Sequence, residues 1–261
     1  MRFILKIRFI FLLLMIFAQQ VAKADELVIG TTFAQEGIQH LVNEWNKQPD
    51  TIPITTLNRT SASLNQLLST EKAREVDLIL SSSPMLFYNL QTKNKLFSLP
   101  TNLQDKTDFL PEMLKPTTVA FALSGYGMLF NKTLFKHIPR SFPESWQDLT
   151  HPDLQGLLVI SSPTRSDTNH IMLEALLQKY GWQKGWALIE KVMLNVGTIS
   201  SRSFGVVDKV QANLAAVGIT IDNYAYLLTQ QNYPHLIFRH FSDFPTSPTF
   251  IAIVAESSKK Q

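Results

Sequence analysis

The sequence predicts an α/β protein of two lobes, each a doubly wound sheet clothed by helices, with a cleft between them. Three observations lead there. Short β-rich runs alternate with amphipathic stretches of helix length, the pattern of largely parallel sheets covered by helices. The alternation comes in two blocks, separated by extended and loop-rich chain around residues 116–152. With 261 residues and no cysteine, the chain is long enough to build its cores without cross-links.

Residues 26–31 (ELVIGT) read as a buried strand, and 35–46 as a helix with Ile38, Leu41, Val42 and Trp45 on one face. Residues 52–57 form a second strand. Ser61, Ala62, Ser63 and Leu64 then open a helix with serine as its cap. Residues 76–80 (VDLIL) are a third strand, and Ser83-Pro84 starts a helix whose first turn suits proline. Two apolar runs, 118–123 and 127–130, are separated by Ser124-Gly125-Tyr126. Loop-rich chain around Trp146 follows. The second block is a strand at 157–160, helices at 168–179 and 182–194, a strand at 198–200 and a helix at 204–213. A strand at 215–219, a helix at 222–230 and a strand at 247–254 complete it. Trp182 and Trp186, four apart, read as core packing. The expected domains are 25–122 as lobe 1, 123–245 as lobe 2, and 246–261 as a strand returning to lobe 1.

The start of the chain is of another kind. Arg2, Lys6 and Arg8 precede an unbroken apolar run at 9–18, and Ala22-Lys23-Ala24 fits the small-x-small rule for cleavage. Residues 1–24 therefore read as a secretory signal peptide, too short in its apolar part for the roughly 20 residues that span a bilayer. Export to the periplasm follows. Formal net charge is +3, but this segment holds Arg2, Lys6, Arg8 and Lys23. Removing those four from 24 basic residues, against 21 acidic, turns the balance to −1 from Asp25 onward. A basic surface for nucleic acid is not supported.

Ligands of open α/β sheets sit beyond the carboxyl ends of the strands. The loops at those positions carry Thr32; Arg59, Thr60 and Ser61; Ser82 and Ser83; Thr164, Arg165, Ser166 and Thr168; and Ser201, Arg202 and Ser203. Hydroxyls and helix-start N–H groups donate to an anion, and arginine adds a planar fork for carboxylate or phosphate. The competing reading is that the hydroxyls only cap their own helices and the arginines sit in water. Asp222 and Tyr224 lie at another helix start, with Tyr224 facing the cleft and Tyr226 pointing elsewhere. Asp167 reads first as the cap of the helix beginning at Thr168. Pairing with Arg165, or receiving an amine or hydroxyl of the ligand, are its alternatives. His170 reads as a packed or surface residue.

Other chemistries lack their residues. There is no G-x-S-x-G elbow, no phosphate loop ending in Gly-Lys-Ser/Thr and no complete G-x-G-x-x-G. His235 and His240 have tolerable zinc spacing but no further ligands to complete a site. No nucleophile–base pair can be named, so catalysis, cofactors and metal are not expected.

Several long stretches resemble a known family. Residues 161–192 (SSPTRSDTNHIMLEALLQKYGWQKGWALIEKV), 197–210 (GTISSRSFGVVDKV) and 221–228 (IDNYAYLL) are similar to periplasmic solute-binding proteins of the iron(III)/organophosphate type. The pieces at 57–68, 76–86 and 145–156 point the same way. The resemblance runs from about Asp25 to Val254. It implies a type II bilobed binding-protein fold closing on a small phosphorylated organic anion, with phosphoglycerate as the favoured ligand. It further implies a monomer that signals with a membrane sensor kinase to induce transport of that ligand. The alternative is a solute-binding subunit that serves an ABC permease for organophosphate or iron(III). Iron-binding relatives use neighbouring tyrosines, whereas here Ala225 separates Tyr224 from Tyr226, which favours an oxyanion. Relatives also continue past the returning strand with helices that complete lobe 1. Those helices are missing from this chain, so apolar surface on lobe 1 is expected to be exposed.

Overall fold

The structure is a computed structural model that describes residues 26–104, 107–229, 233–242 and 244–257. The expected signal peptide, 1–24, lies outside the described residues. The first block is β1 (Leu27–Thr31), α1 (Gln35–Asn46), β2 (Ile54–Asn58), α2 (Ser61–Leu68), β3 (Leu78–Ser81) and α3 (Pro84–Thr92). β1 lies between β2 and β3, parallel to both, with Ile29 opposite Thr56 and Leu78. Both connections are right-length crossovers through a helix, as parallel pairing requires.

A long strand, β4 (Thr118–Asn131), then leads through a short helix, α4 (Lys132–Phe135), into the second block. This is β5 (Leu158–Ser161), α5 (Asp167–Tyr180), α6 (Trp182–Met193), β6 (Val196–Ser200), α7 (Phe204–Gln211), β7 (Val217–Ile221), α8 (Asp222–Thr229), β8 (Leu236–His240) and β9 (Thr246–Ile253). The strand order is β2-β1-β3-β9-β4-β7-β5-β6, with β8 also on β4. β5 and β7 are buried along their whole length, which is why both read as continuous apolar runs.

The two halves of the sheet meet at β4. From Thr118 to Gly125 it pairs antiparallel with β9, and from Tyr126 to Phe130 with β7. β8 takes the edge that β9 leaves. The sequence suggested two apolar runs broken at Ser124-Gly125-Tyr126, but this is one continuous strand. Those residues mark a change of partner, with Gly125 opposite Thr246 and Tyr126 opposite Ile221. Asp222, at the start of α8, secures the exchange: its carboxylate accepts the Gly125 N–H at 2.8 Å and lies 3.1 Å from His240 Nε2.

Two readings of helix faces need correction. In α1, Ile38 and Val42 are buried, but Leu41 is 57% exposed and Trp45 40%. The Trp45 indole donates instead to the Ile52 carbonyl. Trp182 and Trp186 are not core: they are 70% and 38% exposed and pack edge to face on each other. α6 buries Gly185, Ile189 and Val192, leaving both indoles on the flank of that stripe. β8, of mixed polarity and half exposed, had no strand signal in the sequence.

One apolar cluster fills the second lobe and reaches Phe33, Ala34, Ile38 and Val42 of the first. A separate cluster around Leu64, Ile79, Phe87 and Phe250 lies within the first lobe.

Candidate functional site

The loops at the strand ends of both lobes converge on the gap between them. On the first lobe, Thr32 shares a 2.9 Å hydrogen bond with Ser81. Arg59 is exposed, and its guanidinium donates to the Asn58 carbonyl at 2.9 Å. Thr60, not serine, caps α2 by accepting the Ser63 N–H. Ser61 is thus the first helical residue, with its hydroxyl left to face the other lobe. Ser82 is buried and its hydroxyl is shared with Thr249 at 3.2 Å. Ser83 precedes α3, whose Pro84 occupies the first turn.

On the second lobe, Ser166 rather than Asp167 caps α5, accepting the Asn169 N–H at 3.2 Å. A cap residue must be non-helical, and Ser166 holds an extended backbone while Asp167 is already in the helix. The Ser166 hydroxyl also bonds that of Ser203, tying the α5 and α7 loops together. Thr164 and Arg165 are exposed, Thr168 is half-buried, Ser201 is exposed and Arg202 half-buried.

Hydrogen bonds join the lobes across the gap. The Arg202 guanidinium donates to Asn58 Oδ1, the Ser61 hydroxyl donates to the Asp167 carboxylate, and the Ala34 N–H donates to the Tyr224 hydroxyl at 3.2 Å. The last contact is snug: a Cβ on Gly37 would lie 2.5 Å from the Tyr224 ring. Burial pushes the Tyr224 phenol up to about 12, so it stays neutral near pH 7. The charges of Glu36, Arg202 and Asp167 act on that phenol less than its burial does.

Beside these contacts runs an inter-lobe groove of about 740 Å³, lined on one side by Ser61, Ser83, Met85 and Tyr88 and on the other by Thr164, Asp167, His170 and Leu173. His170 is an exposed residue 3.3 Å from Glu174. The structure therefore gathers Ser61, Ser83, Thr164 and Arg202 at the lobe junction. Thr60, Ser166 and Ser203 support the loops from behind. Ser82 is bonded to Thr249, and Asp222 serves the β4 exchange.

Asn58 was not among the expected donors, and Asp167 was expected first as a cap. Asn58 closes β2, its Oδ1 receives Arg202, and its buried Nδ2 has no hydrogen-bond partner among the described residues. Its place beside Arg59 at a strand end was the available signal. Among the described residues, no group of three or more His, Asp or Glu is placed to hold a metal ion.

The family described as bacterial extracellular solute-binding protein matches residues 75–261. The chain belongs to that family. This solute-binding protein is similar to the phosphoglycerate transport regulatory protein PgtC of Salmonella typhimurium, at 45% identity over 238 residues. The match covers 90% of this chain and 59% of PgtC, so the solute-binding chain spans under two thirds of that relative's length. In fold it is similar to the periplasmic binding protein AfuA from Actinobacillus pleuropneumoniae, solved with fructose-6-phosphate bound. There the TM-score is 0.74 at 18% identity, covering 90% of this chain and 75% of AfuA. Iron-bound HitA from Pseudomonas aeruginosa gives 0.72 at 15% identity, covering 90% and 76%. At such identities these two likenesses bear on the fold alone.

Proposed function

We propose that this solute-binding protein works in the periplasm, released there by removal of residues 1–24, and binds phosphoglycerate or a similar phosphorylated anion. Lobes at 25–122 and 123–245, with 246–261 returning to the first, close over the ligand. The bound form signals to a membrane sensor kinase that induces transport of the ligand; the protein is a monomer and a binder, not a catalyst. The observation that carries this reading is Arg202. Its guanidinium reaches across the gap to a neutral amide, Asn58 Oδ1, beside the Asn58 Nδ2 donor that has no partner among the described residues. A phosphate or carboxylate in that gap would meet charge-assisted donors from both lobes. We assign the remaining donors to Ser61, Ser83 and Thr164, which line the adjoining groove, and to Arg59, Arg165 and Thr32 of the neighbouring strand-end loops. The likeness to PgtC, a regulatory protein of phosphoglycerate transport by name, supports the ligand class.

The second reading is a carrier subunit of an ABC importer for organophosphate or iron(III). For iron(III), the tyrosines argue against this reading. Tyr224 is buried on Ala34, while Tyr226 is exposed and packs on Phe238, so the two do not present paired oxygens.

Titration calorimetry with 2- and 3-phosphoglycerate tests the proposal. Binding is expected, weakened about tenfold or more in Arg202→Ala, the cost of one charge-assisted bond. Absence of heat with every phosphorylated anion tried removes the ligand assignment.

A further inference from the structure

A carboxylate of the second lobe lies where an anionic ligand of the first would be received. Asp167 is the first residue of α5, and it accepts the hydroxyl hydrogen of Ser61, the first residue of α2. Asp167 is not required as a cap, because Ser166 fills that role. A second contact repeats the arrangement: α1 begins at Ala34 with no side-chain cap of its own, and Tyr224 supplies the missing oxygen from across the gap. Two helix starts of the first lobe therefore meet oxygen atoms of the second. Helix starts favour negative charge, so a ligand anion and the Asp167 carboxylate seek the same surroundings. Among the described residues Arg202 forms no ion pair with Asp167; its guanidinium is bonded to the Asn58 amide.

Resting on the phosphorylated-anion reading above, we propose that Asp167 is an internal competitor for the ligand. Either Asp167 or the anion takes the Ser61 hydroxyl, so the ligand, entering while the lobes are apart, replaces the Asp167 contact as they close over it. A carboxylate next to the incoming anion also repels it, so the same side chain sets a ceiling on affinity. For a sensor, this exchange couples occupancy of the cleft to the spacing of the lobes.

Asp167→Asn keeps the shape and leaves the Ser166 cap in place while removing the charge. By calorimetry it is expected to bind 3-phosphoglycerate about tenfold tighter than the wild type, the scale of one charge-assisted hydrogen bond. Equal or weaker binding overturns the proposal, since Asp167 would then be a bystander or a ligand contact. A second measurement needs no ligand. The chain has no cysteine, so exposed Glu71→Cys and Lys191→Cys, one on each lobe, take a dye pair without interference. In ligand-free protein, adding Asp167→Ala is expected to lower energy transfer as the lobes part. If the wild type binds no phosphorylated anion, the ligand reading fails by itself and the dye pair alone decides: unchanged transfer sinks the latch, and reduced transfer upholds it.

Discussion

One strand, β4, passes through both lobes and meets two different environments. In its first half, Phe121 is 56% exposed and Leu123 47%, with β9 as the strand on one edge. In its second half, Met128, Leu129 and Phe130 are fully buried, flanked by β7 on one edge and β8 on the other. The side chains of the two halves are equally apolar. Burial along this strand is set by how many neighbours the sheet provides and what covers its faces, and hydrophobicity alone does not distinguish the halves.

The comparison can be broken most sharply in the buried half. Phe130→Ala removes a ring packed against Phe135 and Phe142, and is expected to cost about 3–5 kcal/mol in urea unfolding. Next comes Gly127→Ala, where the new Cβ would lie 2.2 Å from the Arg239 carbonyl oxygen, backbone of β8. That strand must shift, at an expected cost of about 1–3 kcal/mol. Gly125→Ala, two residues nearer the first lobe, meets the movable His240 imidazole at 2.4 Å and is expected to cost less than Gly127→Ala.

Tyr224→Phe tests the junction itself, with an expected loss of about 1 kcal/mol from the Ala34 bond. The pH dependence has a definite sign. The folded protein holds the phenol proton up to about 12, against 10.0 for the free side chain. Stability from this group is therefore full below pH 10 and is lost as pH rises from there through about 12. Alkaline unfolding curves should show a shallower loss in the phenylalanine variant. Burial also raises Tyr126, which keeps part of the loss in both proteins. The smallest effect belongs to the open half of β4: Phe121→Ser should stay within about 0.5 kcal/mol of wild type. A larger cost would mean that this face is covered in solution.

Much of the site's framework was readable in advance. The helix at 35–46 was read with both ends correct, and α5 differs from its expected start by one residue. The hydroxyl-rich loops were located because strand ends can be counted along the chain. The serine and threonine roles were harder. Whether Thr60 or Ser61 caps α2, and Ser166 or Asp167 caps α5, turns on one backbone conformation, which residue type does not specify. The burial of Trp182 and Trp186 was misread for a related reason: four-residue spacing shows that two side chains share a face, but not that the face is covered.

By itself, the sequence determined the alternation of strands and helices, the two-block organisation and the donors available at each strand end. These rest on local periodicity and on residues close along the chain. Only the tertiary structure decided that β4 would change partners at Gly125, that Arg202 would reach Asn58 and that Asp167 would reach Ser61. The last two pairs are 144 and 106 positions apart, and no local preference encodes which of several hydroxyls or carboxylates will face one another. That choice follows from sheet order and strand register, which fix where every loop tip is carried.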